Sequence, residues 1–222
     1  MDTEPKKSKS KFDWLGWSCV AGVLALIALL ATPPILRTNR IIVLQDAKMN
    51  ARQIGLALHE FENKYGTFPN DQTKFEFDKS YVHKVYVGGT SSNALFRQLI
   101  ASGITQSEQV FYAKTPGSRR PDGVISHGQA LKKGEVGFSY ISGLSSKDDP
   151  RTPIVLTPLI PGTTKFDPKP FEGKAIVLHI DNSVRTYDIH KDGHIYDDKG
   201  INLLSPKHPI WKGKAPDIRY PE

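Results

Sequence analysis

The feature that most constrains this chain is an uncharged apolar run from Trp14 to Leu36 that passes directly into a long amphipathic helix pattern. The run exceeds the roughly 18 residues that argue for a membrane span, and at about 1.5 Å per helical residue it covers about 30 Å of hydrocarbon. Lys6, Lys7, Lys9 and Lys11 precede it, and the first positive residues after it are Arg37 and Arg40. The positive-inside rule then keeps the N-terminus cytoplasmic and places everything after about Arg37 outside, with Trp14 and Trp17 near the inner headgroups. A cleaved secretory signal is the other reading of a basic segment followed by an apolar one. The run outlasts the usual h-region of roughly 7 to 15 residues, and Ala28 and Ala31 miss the small-x-small spacing of a cleavage site.

Past Pro33 and Pro34, where a kink or brief interruption is expected, Ile41, Leu44, Ile54, Leu58, Phe61 and Tyr65 recur at helical spacing. Arg37, Arg40, Asp46, Lys48, Arg52, Glu60 and Lys64 fall largely elsewhere. Gly66 is a natural C′ stop and Pro69 prevents continuation. The division that follows is a cytoplasmic basic tail (1–13), a transmembrane helix (14–36), an amphipathic spine helix (37–65) and an extracytoplasmic head (66–222). The head is of ordinary size for one domain.

The 16 prolines and 18 glycines, with 38% hydrophobic residues, describe a loop-rich, strand-rich globule. Four of the basic residues behind the net charge of +7 are the topology lysines, and no dense basic run with interleaved aromatics follows. The charge therefore argues against nucleic acid as a partner. Cys19, the only cysteine, lies inside the apolar run, which excludes disulfides, thiolate zinc sites and a cysteine nucleophile from the head.

Within the head, strands are expected at Tyr81 to Val87, Val110 to Ala113, Val136 to Ile141 and Ile154 to Leu156. A short helix capped by Ser91 or Ser92 runs through Ile100 and stops at Gly103. Lys174 to Ile180 and Ser183 to Ile189 form a hairpin about Asp181-Asn182, with a third strand at His194 to Tyr196. Lys114 to Lys133 and Pro158 to Gly173 read as loops.

Taken in order, the apolar helix, Asn50 to Asp71 with its Lys64-Tyr65-Gly66-Thr67-Phe68-Pro69 end, Asn93 to Gly103, Gly137 to Leu144 and Ala175 to Tyr187 form a familiar series. The chain resembles the type IV pilin-like proteins, closest to the major pseudopilin (protein G) of type II secretion, from Trp14 to about Tyr196. The resemblance implies an α+β fold in which a long N-terminal helix, half membrane-spanning and half amphipathic, packs on an antiparallel sheet. It also implies a structural, non-enzymatic role with other pilin-like subunits or secretion-machinery proteins as partners, in the inner membrane of a bacterium. The candidate processing site is Gly16-Trp17. The fifth residue from Trp17 is Ala21, where the family carries a glutamate, so an uncleaved anchored binding module stands beside the processed subunit.

Asp188-x-His190-x-Asp192-Gly193 imitates the start of a calcium loop, but position 3 is His190 and position 12 is Lys199 rather than oxygen donors of the required kind. If the head holds calcium, as the family's heads often do, Asp192, Asp197 and Asp198 are the candidates. His59, His179, His190 and His194 lack metal-ligand spacing on a shared helical face and read as solvated or packed. No G-x-S-x-G, H-E-x-x-H or phosphate-binding glycine loop is present, which leaves an anchored hydrolase as a minor alternative. Trp211 is expected to pin the C-terminal tail over the core.

Overall fold

The computed structural model describes residues 12–74, 85–126 and 128–222. Helix α1 (Phe12–Tyr65) is assigned without interruption at Pro33 and Pro34. Its residues up to Ile42 belong to one compact unit, Met1–Ile42, and the remainder to a second, Val43–Glu222. The basic residues Lys6, Lys7, Lys9 and Lys11 lie outside the described residues, as do the side chains of most of the run Trp14 to Leu36 and the first four residues of the strand expected at Tyr81. Val85 to Val87 take no regular structure.

In the second unit, Ala47, Ala51, Ile54, Leu58 and Phe61 are buried along one stripe of α1, with Met49, Arg52, Leu56 and Glu60 on the wet side. Small residues on that stripe let the helix approach closely. A Cβ added to Gly55 would stand 2.1 Å from Asn182 Oδ1 and 3.1 Å from Leu178 Cδ1. The helix ends where Gly66, at φ +81, donates its N–H to the Glu62 carbonyl at 2.6 Å, the left-handed stop that glycine makes without strain.

Five strands form one sheet: β1 (Ser139–Ser142), β2 (Pro153–Thr157), β3 (Lys174–His179), β4 (Val184–Asp188) and β5 (Asp217–Arg219), in the order β4-β3-β2-β1-β5. Every neighbouring pair is antiparallel. Side chains alternate across a strand, so β3 sends Ile176 and Leu178 to the cluster that holds α1 while Ala175 and Val177 join a second cluster on the other face. That second cluster is filled by Leu159 and Phe166 from the connection between β2 and β3, and by Ile195, Leu203, Leu204 and Trp211 from the segments after β4. Both faces of the central strands are thus dry, which is why β2 is buried at all five positions, while the edge strands β4 and β5 stay partly exposed. Between Pro153 and Val155 the register against β3 slips by one residue, a bulge that lets Ile154 and Val155 both enter the helix-side cluster.

Helix α2 (Ser92–Ala101) is buried from Ser92 to Ile100, and its polar side chains are used as internal clamps. Ser91 Oγ caps it by accepting from Ala94 N–H at 3.2 Å. Gln98 accepts from Thr73 Oγ1 at 2.6 Å and donates to Asn70 O at 2.9 Å. Asn93 donates to Leu131 O at 2.9 Å, and Arg97 donates to Ala130 O at 2.8 Å and Leu131 O at 2.9 Å. The segment around Leu131 is therefore held by three donors from one helix.

The expected fold class, a pilin-like α+β arrangement with a membrane-spanning half-helix carried into an antiparallel head, is corrected. What forms is the five-stranded antiparallel sheet above, and among the described residues no helix is long and apolar enough to cross a membrane. Asp46, Lys48, Arg52, Glu60, Glu62 and Lys64 put a charge on nearly every turn of the fully described part of α1, the half expected to be amphipathic, while the side chains of 25–40 in and after the expected span lie outside the described residues. Two expected strands are also corrected. Glu108–Phe111 is a 3-10 turn rather than the start of a strand, and around Tyr196 there is only a single bridge to Asn202.

Candidate functional site

Asp192, Asp197 and Asp198 lie in the loop after β4, around an open groove they share with His190, Lys191, Tyr196 and Gly200. Asp192 Oδ1 accepts from His194 N–H at 3.1 Å and Oδ2 from the Tyr196 hydroxyl. The Tyr196 hydrogen bond, with the His194 N–H behind it, holds the Asp192 carboxyl below the usual range. Asp197 Oδ1 accepts from Ile201 N–H at 2.7 Å and Lys199 N–H at 3.0 Å, and its Oδ2 stands 3.3 Å from His208 Nε2. Its carboxyl is lowered chiefly by the Ile201 N–H. Both carboxylates are thus spent on building their own turns. Asp198 stays exposed beside them.

Gly16 and Trp17 lie in the first unit, within α1, with the Trp17 indole 75% exposed. Among the described residues, the candidate histidines each meet a partner. His59 Nε2 donates to Ile180 O at 2.8 Å, His194 Nδ1 donates to Thr164 O at 3.2 Å, and His190 lies edge-on to Tyr196.

His179 is the most deeply buried of the described histidines. Its Nδ1 must donate to Arg151 O at 2.6 Å, because a carbonyl only accepts, so Nε2 accepts from the Tyr187 hydroxyl at 3.1 Å. Burial pushes its pKa down; the Arg185 charge acts in the same direction, while the bond to Arg151 O and the Asp181 charge oppose it. The unfolded imidazole takes up its proton first as pH falls, so stability declines from about pH 7 through the ordinary histidine pKa of about 6.5 toward the lower folded value. In a His179→Gln variant that pH-dependent component should vanish. Urea midpoints of the two proteins at steps between pH 7.5 and 5 measure it, and parallel curves would refute it.

A different set of carboxylates converges in space. One oxygen from each of Glu108, Asp122 and Glu135 lies within 4.8 Å of the others. Glu108 opens the 3-10 turn after α2, and Asp122 and Glu135 come from the following loop, whose 130–132 backbone is fixed by the α2 clamps. Glu108 Oε1 accepts from Leu131 N–H at 2.6 Å, and Glu135 Oε2 accepts from Lys132 N–H at 2.7 Å. Asp122 Oδ2 accepts from Lys132 Nζ at 2.7 Å, which lowers that carboxyl. The Arg119 guanidinium stands 3.4 Å from Glu135 Oε1.

Glu108 and Glu135 are each 1% exposed, and Glu108 Oε2 meets no hydrogen bond of normal geometry. Burial, with the Glu135 and Asp122 charges added, pushes the Glu108 carboxyl up against the opposing Leu131 and Gly123 N–H groups. Sequence reading missed this set. Its members stand far apart on loop segments with no repeating interval, and no local signal joins them.

Comparison with protein-family models, with curated proteins and with solved structures finds no match for this chain.

Proposed function

We propose that the chain is a membrane-anchored structural protein whose head is presented outside the cytoplasm, and that it works by assembly with other subunits or secretion-machinery proteins, as the pseudopilins it resembles in sequence do. The observation that carries the reading is the uncharged run Trp14 to Leu36 with four lysines before it. The first unit adds support. Trp17, Val20, Val23 and Leu24 are 51–75% exposed there, an apolar surface that water does not favour. A valine or leucine gains up to roughly 1.5–3 kcal/mol when fully covered by lipid or a neighbouring helix.

Ala21, at the position where a processed subunit would carry glutamate, favours a second reading. In it the anchor is never cleaved and the head serves as a tethered binding module.

Membrane fractionation of cells expressing the full chain tests the anchor. The protein should stay in the pellet through a carbonate wash and enter detergent, and protease added to spheroplasts should digest the head. Replacing Val23 and Leu24 with lysine should release it, since each lysine near a helix centre costs roughly 2.5–3.5 kcal/mol of insertion free energy. Recovery of the wild-type chain in the soluble fraction, or a head cleaved only in inverted vesicles, would overturn the proposal. Crosslinking through Cys19, which is free and exposed, then separates assembly from a lone module.

A further inference from the structure

We propose that Glu108, Asp122 and Glu135 form a divalent-cation site fitted to calcium, distinct from the loop at Asp192 to Asp198. The starting point is charge. Three carboxylates face two cationic side chains, Arg119 on Glu135 and Lys132 on Asp122, which leaves one negative charge without a counterion when Glu108 is ionised. That charge is not free to reach water. Glu108 is 1% exposed and its Oε2 meets no hydrogen bond of normal geometry, only an approach from the Gly123 N–H, so a buried carboxylate oxygen is left undermatched, which is costly. Its other oxygen is held by Leu131 N–H, so the group cannot turn away without giving up that bond. A cation completes what the Leu131 and Gly123 N–H groups leave unmatched.

The donor set chooses among cations. Three carboxylates with no imidazole or thiolate select a hard ion. Calcium binds oxygens at about 2.3–2.6 Å, so two ligands on opposite sides of the ion stand about 4.6–5.2 Å apart. Oxygens that lie within 4.8 Å of one another can surround it with little movement. Magnesium dehydrates reluctantly and is usually held through one or two carboxylates with several waters, which suits a site of three carboxylates with two buried glutamates less well.

Lys132 is the built-in competitor. Its ammonium sits on Asp122 Oδ2 at 2.7 Å, and its side chain is 29% exposed, so it has a path to solvent when an ion arrives. Bound calcium would join the start of the 3-10 turn to both arms of the 114–135 loop and fix the surface that loop presents. None of this rests on the membrane reading.

The test is calorimetric titration of the purified full chain in detergent, stripped with a chelator, using calcium chloride and magnesium chloride. The wild type should bind one calcium, with magnesium about tenfold weaker or worse. Asp122→Asn, an exposed position that leaves the core untouched, should weaken calcium by about tenfold or more, and Glu108→Gln should remove measurable binding. Lys132→Met should tighten it several-fold, an outcome that a merely structural lysine would not produce. No binding up to millimolar calcium would overturn the proposal and leave a proton on Glu108 as the satisfied state. Binding unchanged by both Asp122→Asn and Lys132→Met would overturn it too, by placing the ion elsewhere, whether or not the Glu108 variant folds.

Discussion

Phe61→Ala should cost about 3–5 kcal/mol of folding stability, the largest loss expected from any single truncation on α1. Phe61 is wholly buried, lies 4.5 Å from the Tyr65 ring and belongs to the cluster that joins the helix to Phe138, Tyr140 and Ile154 of the sheet side. Removing its ring forfeits the transfer free energy of the lost carbons. It also opens a cavity that the neighbours cannot close, because Gly55 already holds the same helix against the Asn182 turn and Leu178 with no slack. A loss of that size is a large share of the roughly 5–15 kcal/mol that holds a domain together. The urea midpoint of the chain in detergent should fall accordingly with the slope unchanged. Leu56→Ala on the same helix, where Leu56 is 59% exposed, should stay within about 0.5 kcal/mol and serves as the control. Equal effects at the two positions would mean that the helix does not use this face.

Local signals in the sequence were strong where chemistry is local. The hairpin of β3 and β4 was legible because two β-branched runs flank Asp181-Asn182, and Asn182 does take the left-handed conformation, at φ +60, that such a turn needs. The ends of α2 were legible for the same reason, from a serine cap and a glycine stop at Gly103. Non-local features were not. β5 is only Asp217-Ile218-Arg219, too short and too polar to announce itself, and it becomes a strand because β1 offers an open edge. Val110 to Ala113 has strand-like composition, but Asn50 on α1 donates to Gln109 O at 3.0 Å and Tyr112 O at 2.8 Å, and those tertiary bonds hold a 3-10 turn instead.

The carboxylate cluster shows the same limit more sharply. Asp192, Asp197 and Asp198 drew notice because they stand close together in the chain, and closeness in the chain let Asp192 and Asp197 satisfy their own turns. Glu108, Asp122 and Glu135 drew none, because their meeting depends on Arg97 and Asn93 of α2 gripping the carbonyls of Ala130 and Leu131. Leu131 itself sits at φ 49, an unfavourable conformation for a leucine that the three α2 donors and the Glu108 carboxylate together stabilise. A carboxylate cluster of this kind, two members buried and one exposed, is a tertiary product, visible only once the loop has been folded against the helix.

Gly137→Ala is the other change with a severe expected cost, about 3 kcal/mol or more, and its cause is contact rather than backbone conformation. Gly137 leads into β1 against the segment that follows the 3-10 turn. An added Cβ would lie 2.3 Å from the Ala113 carbonyl oxygen and 2.6 Å from the Ala113 nitrogen, both backbone atoms that cannot rotate aside. Relief requires one of the two segments to retreat, and each is fastened. Gly137 donates its N–H to Phe111 O at 3.0 Å, and its carbonyl accepts from the buried Thr157 hydroxyl at 2.7 Å, so retreat strands polar groups in the core. Gly143→Ala is the informative comparison. Gly143 takes φ +80 with nothing within 4 Å of an added Cβ, so it should lose only the roughly 1–2 kcal/mol that a left-handed backbone costs an ordinary residue. The two retreating segments at Gly137 also carry Glu108 and Glu135. Gly137→Ala should therefore weaken calcium binding along with thermal stability, whereas Gly143→Ala should lower the melting temperature and leave calcium affinity alone. Melting curves and calorimetric titrations of both variants decide it, and a Gly137→Ala protein as stable as wild type would show that the backbone approach at Ala113 is looser than 2.3 Å implies.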